Sequence, residues 1–368
     1  MVTATSKRLL SLDFLRGFIM VTLALGETGF FVKLHNAFPN SVTEFLAYEF
    51  EHSTWHGLRF WDVILPSFML IAGTSLAYSY NRQKELGYTY SASLKKTLKR
   101  SFWLLFWGIL IYSVRDGHLN FQMSNVLTQL SFTLVIAFMF INKPPRVQFI
   151  ASIVCLIIPE VLYRTILIPG YDQPFVEFHN FGSFINKSIG ISVDEQHKTN
   201  TINFIASSAH TIWGMMVGQL FMTNRSVKEK ISWLIYGGAI AIAIGVSMDL
   251  LGITPVLKWI STSSFVLVTG GIALIVLALS YYLIDGLGRK ERLKFFTIVG
   301  MNSIFIYLFF IFIGDKWLNG YMDTLVSGLL SFASVPLAVG SAVSCLVVFA
   351  IEWYLCYFLY RKKLFFKL

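Results

Sequence analysis

Apolar runs of about 20 residues recur along the whole chain, and each is long enough to cross a hydrocarbon core about 30 Å thick as an α-helix. Their centres fall near Val21, Met69, Phe106, Leu134, Ile157, Trp213, Ala241, Ile272, Ile306 and Cys345. Hydrophobic residues make up 55% of the 368 and charged residues only 14%, too little polar surface to cover a soluble globule of this length. The reading is an all-α, polytopic integral membrane protein, a helical bundle of about ten transmembrane helices with the lipid bilayer as its surroundings.

Most of the 30 basic residues gather in alternate loops. The groups are Lys7 and Arg8; Arg82, Lys84, Lys95, Lys96, Lys99 and Arg100; Lys143 and Arg146; Arg225, Lys228 and Lys230; Arg289, Lys290, Arg292 and Lys294; and Arg361, Lys362, Lys363 and Lys367. Basic loops stay in the cytoplasm, so both termini are expected there. The net charge of +10 follows from this topology and calls for no nucleic-acid partner. Asp13 and Arg16 interrupt the first apolar run, which reads as a retained span rather than a cleaved signal peptide.

One domain, 1–368, is the simplest organisation, with external excursions at about 33–58 and 169–201. Within the first, 42–50 is amphipathic. Aromatics alternate with polar residues in the second, a composition that suits either sugar stacking or a seat on the headgroup layer. Cys155, Cys345 and Cys356 fall inside spans as packing residues. No metal-ligand spacing is present, no internal repeat suggests an inverted-repeat transporter, and a homo-oligomer is compatible with the sequence.

Chemistry is best sought where Glu51-His52-Ser53-Thr54-Trp55-His56-Gly57-Leu58-Arg59-Phe60-Trp61-Asp62 runs into the second apolar span. Ionisable groups at membrane depth are costly and mark sites or pathways, and histidine moves protons near neutral pH. A rise of 1.5 Å per residue puts Glu27 in the outer third of the first span and Asp62 one turn below the external surface, so His52, His56, Glu27 and Asp62 can converge. His210 enters deeper, where a neutral ring satisfied by a carbonyl is the commoner arrangement. Asp13 with Arg16, and Glu160 with Arg164, have the spacing of ion pairs along one helix face. Asn302 has the setting of a residue bonded to another helix.

The motifs Ser11-Leu12-Asp13-Phe14-Leu15-Arg16-Gly17 and His52-x-x-Trp55-x-Gly57-Leu58-x-x-x-Asp62-x-x-x-Pro66-x-Phe68 resemble the transmembrane acyltransferases related to heparan-α-glucosaminide N-acetyltransferase. Pro255-Val256-Leu257-Lys258, Gly300-Met301-Asn302-Ser303-Ile304 and Tyr360-Arg361-Lys362-Lys363-Leu364-Phe365-Phe366-Lys367 continue the resemblance in the same order, as in a compact bacterial member, which implies a bacterial inner membrane as the location. It implies transfer of an acetyl group from cytoplasmic acetyl-CoA to an amino sugar or related glycan on the far side, with His52 as the catalyst and no metal. His52 would act as general base in direct transfer or as nucleophile in an acetyl-imidazole relay, with Glu27 or Asp62 orienting it. Arg16, Lys99, Arg100 and Asn302 are the candidates for holding CoA; Trp55, His56, His210 and Lys258 are those for the acceptor. Glu27 stands where the animal enzyme's pattern has asparagine. O-acetylation, or a transporter or flippase using the same polar cluster for proton-coupled binding, is the alternative.

Overall fold

The computed structural model describes residues 9–195, 197–289, 291 and 293–366. Five of the basic positions named above, Lys7, Arg8, Lys290, Arg292 and Lys367, lie outside these. In order the helices are α1 (Leu10–Glu27), α2 (Phe30–Ala37), α3 (Ser41–Glu49), α4 (Ile64–Glu85), α5 (Tyr90–Asp116), α6 (Val126–Met139), α7 (Pro145–Thr165) and α8 (Phe181–Ser188). They continue with α9 (Phe204–Phe221), α10 (Val227–Leu250), α11 (Ser263–Tyr281), α12 (Lys294–Met301), α13 (Ser303–Phe309), α14 (Asn319–Ser331) and α15 (Leu337–Arg361). A π-helical stretch, Phe310–Leu318, joins α13 to α14.

The fold is an all-α, multi-span membrane bundle. Among the described residues, six helical stretches suit a crossing by length and apolarity, or seven if α1 and α2, bent by 54°, form one span. The expected ten are not reached on this measure, for local reasons. Helix α6 has 14 residues, α5 opens on Lys95, Lys96, Lys99 and Arg100, and α9 carries Ser207, Ser208, His210 and Thr211 in sequence.

Backbone contact holds several helix pairs together. A Cβ on Gly73 of α4 would stand 2.0 Å from the Thr211 carbonyl oxygen of α9, and one on Gly214 would stand 1.9 Å from that of Leu70. Apolar side chains gain little by leaving lipid for one another, so such close approach is a principal source of association. Gly17 of α1 and Gly300 of α12 meet in the same way. Both expected intrahelical pairs form: Arg16 lies 3.9 Å from Asp13 and donates to Ser75 at 2.8 Å, while Arg164 lies 3.3 Å from Glu160.

Segment 42–50 is mostly helix α3, whose N-cap Asn40 accepts from the N–H groups of Val42 and Thr43 at 3.0 and 3.1 Å. The three cysteines are free and buried. Ahead of α4, the loop pairs with the α10–α11 loop through a lone antiparallel bridge between His56 and Leu257. The Gly57 N–H donates to the Val256 carbonyl at 3.0 Å and the Trp259 indole to the Ser53 carbonyl at 3.0 Å. This seam positions the polar cluster.

Candidate active site

A 3₁₀ turn, Phe60–Val63, starts the run into α4 and places Asp62 where an acid meets free backbone N–H groups. Asp62 Oδ2 accepts from Arg59 N–H at 3.1 Å and Ser53 N–H at 3.2 Å. Its other oxygen, Oδ1, lies 2.9 Å from His52 Nδ1 and 3.2 Å from Lys258 Nζ. The Asp62 side chain is fully buried, whereas that of His52 is 43% exposed, so the imidazole is anchored on one edge and open on the other. Trp61 and Trp259 flank it, with ring centroids 6.4 and 5.6 Å away.

Lys258 Nζ also hydrogen-bonds His52 Nδ1. One ring nitrogen has a single in-plane site, so Nδ1 either donates to Asp62 or accepts from Lys258. In the first state Nε2 is bare and is the nitrogen available as a base. In the second Nε2 carries the proton. Surrounding walls and the neighbouring ammonium hold His52 below the ordinary histidine range, against the pull of Asp62. Burial pushes Lys258 down to about 8, partly countered by Asp62.

The other candidates are placed as follows. Glu27 ends α1 and makes no hydrogen bond to His52; the adjoining Gly26 packs on the Trp61 ring beside it. His56 turns away, its Nε2 lying 2.7 Å from Asp249 of α10. Trp55 donates its indole N–H to the Phe175 carbonyl at 2.9 Å, tying the loop ahead of α4 to the one between α7 and α8. His210 is buried between α9 and α11, its Nε2 3.1 Å from both the Val266 carbonyl and the Thr269 hydroxyl. Glu160 accepts from the Ser263 N–H at 3.2 Å, which steadies the α10–α11 loop near Lys258.

On the side of Arg82 and Lys96, a cavity of about 860 Å³ opens between α1, α4, α5, α6 and the α12–α13 break. Arg16 and Arg100 line it, joined by Arg82 and Lys96, with Ser75 and Gln83 between them. Lys99 is exposed and lies outside this lining. Arg82 and Lys96 were legible only as topology. Their sharper signal is helical spacing: Lys96 lies four residues from Arg100, and Arg82 lies three from Ser79, itself four from Ser75, so each set shares a helix face. Asn302 does not line the cavity but bonds the segment after α15. At its inner end the cavity reaches Phe68, six residues below Asp62 and so about 9 Å along the helix axis.

Among the described residues, no group of three or more His, Cys, Asp or Glu is arranged to hold a metal ion. The arrangement offers a histidine–carboxylate pair facing one end of the bundle and a cation-rimmed cavity approaching it from the other.

A family model described as "Heparan-alpha-glucosaminide N-acetyltransferase, catalytic" matches residues 8–253, from the start of the chain's first span through α10. The match includes His52 and Asp62 and stops short of Lys258 and Asn302. Comparison with curated proteins finds no match.

Proposed function

Since this chain belongs to the heparan-alpha-glucosaminide N-acetyltransferase catalytic family, we propose that it moves an acetyl group from acetyl-CoA in the basic cavity to the amine of an amino sugar arriving at His52. The carrying observation is the pair itself: an open imidazole whose rear nitrogen lies 2.9 Å from a buried, backbone-anchored carboxylate. Arg16, Arg82, Lys96 and Arg100 complement the phosphates of CoA. By the distribution of basic residues this mouth is cytoplasmic and His52 faces the other side.

The direct route fits the pair best. His52 Nε2 takes a proton from the attacking amine as its nitrogen bonds to the acetyl carbon, and Asp62 stabilises the imidazolium. The C–S bond then breaks, the thiolate recovers the proton from His52, and the products are the N-acetyl sugar and CoA. Lys258, whose ammonium neighbours the imidazole, must release Nδ1 for Nε2 to be bare.

The test uses purified protein, labelled acetyl-CoA and a panel of amino sugars. We expect labelled acetyl amide and free CoA in equal amounts, and His52→Ala without turnover but with CoA binding kept. Near-normal turnover in His52→Ala moves the catalyst elsewhere. No CoA release with any acceptor, alongside sugar flux in liposomes, replaces the enzyme with a transporter.

A further inference from the structure

Helix α15 ends at Arg361, and the chain then turns back into the bundle. Lys363 takes a left-handed conformation (φ 55°), the Leu364 N–H donates to the Leu359 carbonyl at 2.9 Å and the Lys363 N–H to the Tyr360 carbonyl at 3.1 Å. This is the Schellman arrangement, which satisfies the last carbonyls of a helix while reversing chain direction.

The reversed segment is caught by one side chain. Asn302 is fully buried at the break between α12 and α13, where its φ of −121° and ψ of 34° leave the helical range. Its Nδ2 donates to the Leu364 carbonyl at 3.2 Å, and its Oδ1 accepts the Phe366 N–H at 3.0 Å. An amide is the side chain suited to this, since it presents a donor and an acceptor side by side to an extended backbone. Beyond the clamp, Phe365 and Phe366 line the same cavity as Arg16 and Arg100, and Phe366 meets the Trp107 ring edge-on at 6.3 Å. Phe366 remains 41% exposed, an apolar surface left open beside the cavity.

Taken together, the geometry points to Asn302 as a positioning residue: it holds residues 364–366 as a wall of the cavity, so that Phe365 and Phe366 pack against bound CoA. The inference rests on the reading of that cavity as the CoA site. Asn302 itself never touches the substrate. It also couples the wall to α1, because Gly300, two residues earlier, packs on the backbone of Asp13 and Gly17 beside Arg16.

CoA titration of full-length protein in detergent, with steady-state kinetics, tests this on Asn302→Ala, Asn302→Asp, the double variant Phe365→Ala/Phe366→Ala, and all three alanines together. Loss of two hydrogen bonds of ordinary worth, or of the aromatic wall, should weaken CoA about tenfold and raise the acetyl-CoA KM in step, with kcat at saturation within about threefold. If Asn302 acts through the segment, the triple variant should also lose about tenfold rather than about a hundredfold. Asn302→Asp, which keeps the acceptor for Phe366, should fall between wild type and Asn302→Ala. Should Asn302→Ala fail to fold, the phenylalanine variant alone decides. Unchanged CoA affinity in it, or additive losses in the triple variant, overturns the clamp. Wild-type protein that binds no CoA overturns the proposed function beneath it.

Discussion

Asp62→Asn gives the sharpest test of the His52 pair. The asparagine oxygen can keep the Arg59 and Ser53 N–H bonds now made by Oδ2, so the turn into α4 should survive. Its amide nitrogen then faces His52 Nδ1, where the carboxylate oxygen lies at 2.9 Å. Two donors cannot share that contact, so the imidazole must place its proton on Nε2, the wrong tautomer for a base acting through that nitrogen. The imidazolium formed during transfer also loses its counter-charge. At about 4 Å and an effective dielectric constant near 20 that attraction is about 4 kcal/mol. Solvent at the open edge of His52, 43% exposed, screens part of it. About 3 to 4 kcal/mol should remain, which lowers kcat by about two to three orders of magnitude. The assay is single-turnover transfer of labelled acetyl to glucosamine at saturating acetyl-CoA, with CoA titration as control. Because the cavity ends about 9 Å below Asp62, CoA affinity should stay within about twofold. A kcat within about tenfold of wild type, in protein that binds CoA, would refute the role assigned to Asp62.

Lys258→Met removes the ammonium that helps hold His52 below its ordinary range, so the imidazole should protonate at higher pH. His52 is a base only when neutral; the acidic limb of kcat/KM should therefore move to higher pH, and a limb that stays put or moves down contradicts the proposed coupling. Arg100→Gln removes one cation from the cavity lining and should weaken CoA by about three- to tenfold, less at high salt; equal affinity at low salt would remove Arg100 from the site. Gly73→Ala puts a methyl group 2.0 Å from the Thr211 carbonyl oxygen, forcing α4 from α9 at a cost of about 2 kcal/mol or more. Thermal unfolding in detergent should show a clear drop, and an unchanged midpoint would mean that the two helices do not meet there.

Run length and composition sufficed for the class of fold, because inside lipid only helices and closed barrels satisfy every backbone polar group, and unbroken apolar runs of about 20 residues suit helices rather than the shorter, alternating strands of a barrel. Span number was less legible: polar residues in α5 and α9 and the short length of α6 weaken the signal that hydropathy reads. The rise per residue and a short connection let His52, His56, Glu27 and Asp62 converge and left Glu27 or Asp62 as the acid beside His52; in the structure it is Asp62, at 2.9 Å. His56 and Trp55 sit in the same stretch, yet their bonds run to Asp249 and Phe175, and no local pattern distinguishes a residue that faces a site from one that pins the loop carrying it. His210 follows the commoner expectation for a buried histidine, with a carbonyl and a hydroxyl as its partners.

By itself, then, the sequence determined a membrane-embedded helical bundle, its clusters of basic residues and a polar stretch around His52 with Glu27 or Asp62 as its acid, all consequences of lipid solvation and short-range spacing. Only tertiary structure brought Lys258, 206 residues beyond His52, onto both His52 and Asp62, and closed Asn302 around the backbone of Leu364 and Phe366. Those contacts depend on which loops meet. That is settled by close helix packing at Gly73 and Gly214 and by the His56–Leu257 bridge, where backbone approaches backbone across segments far apart in the chain.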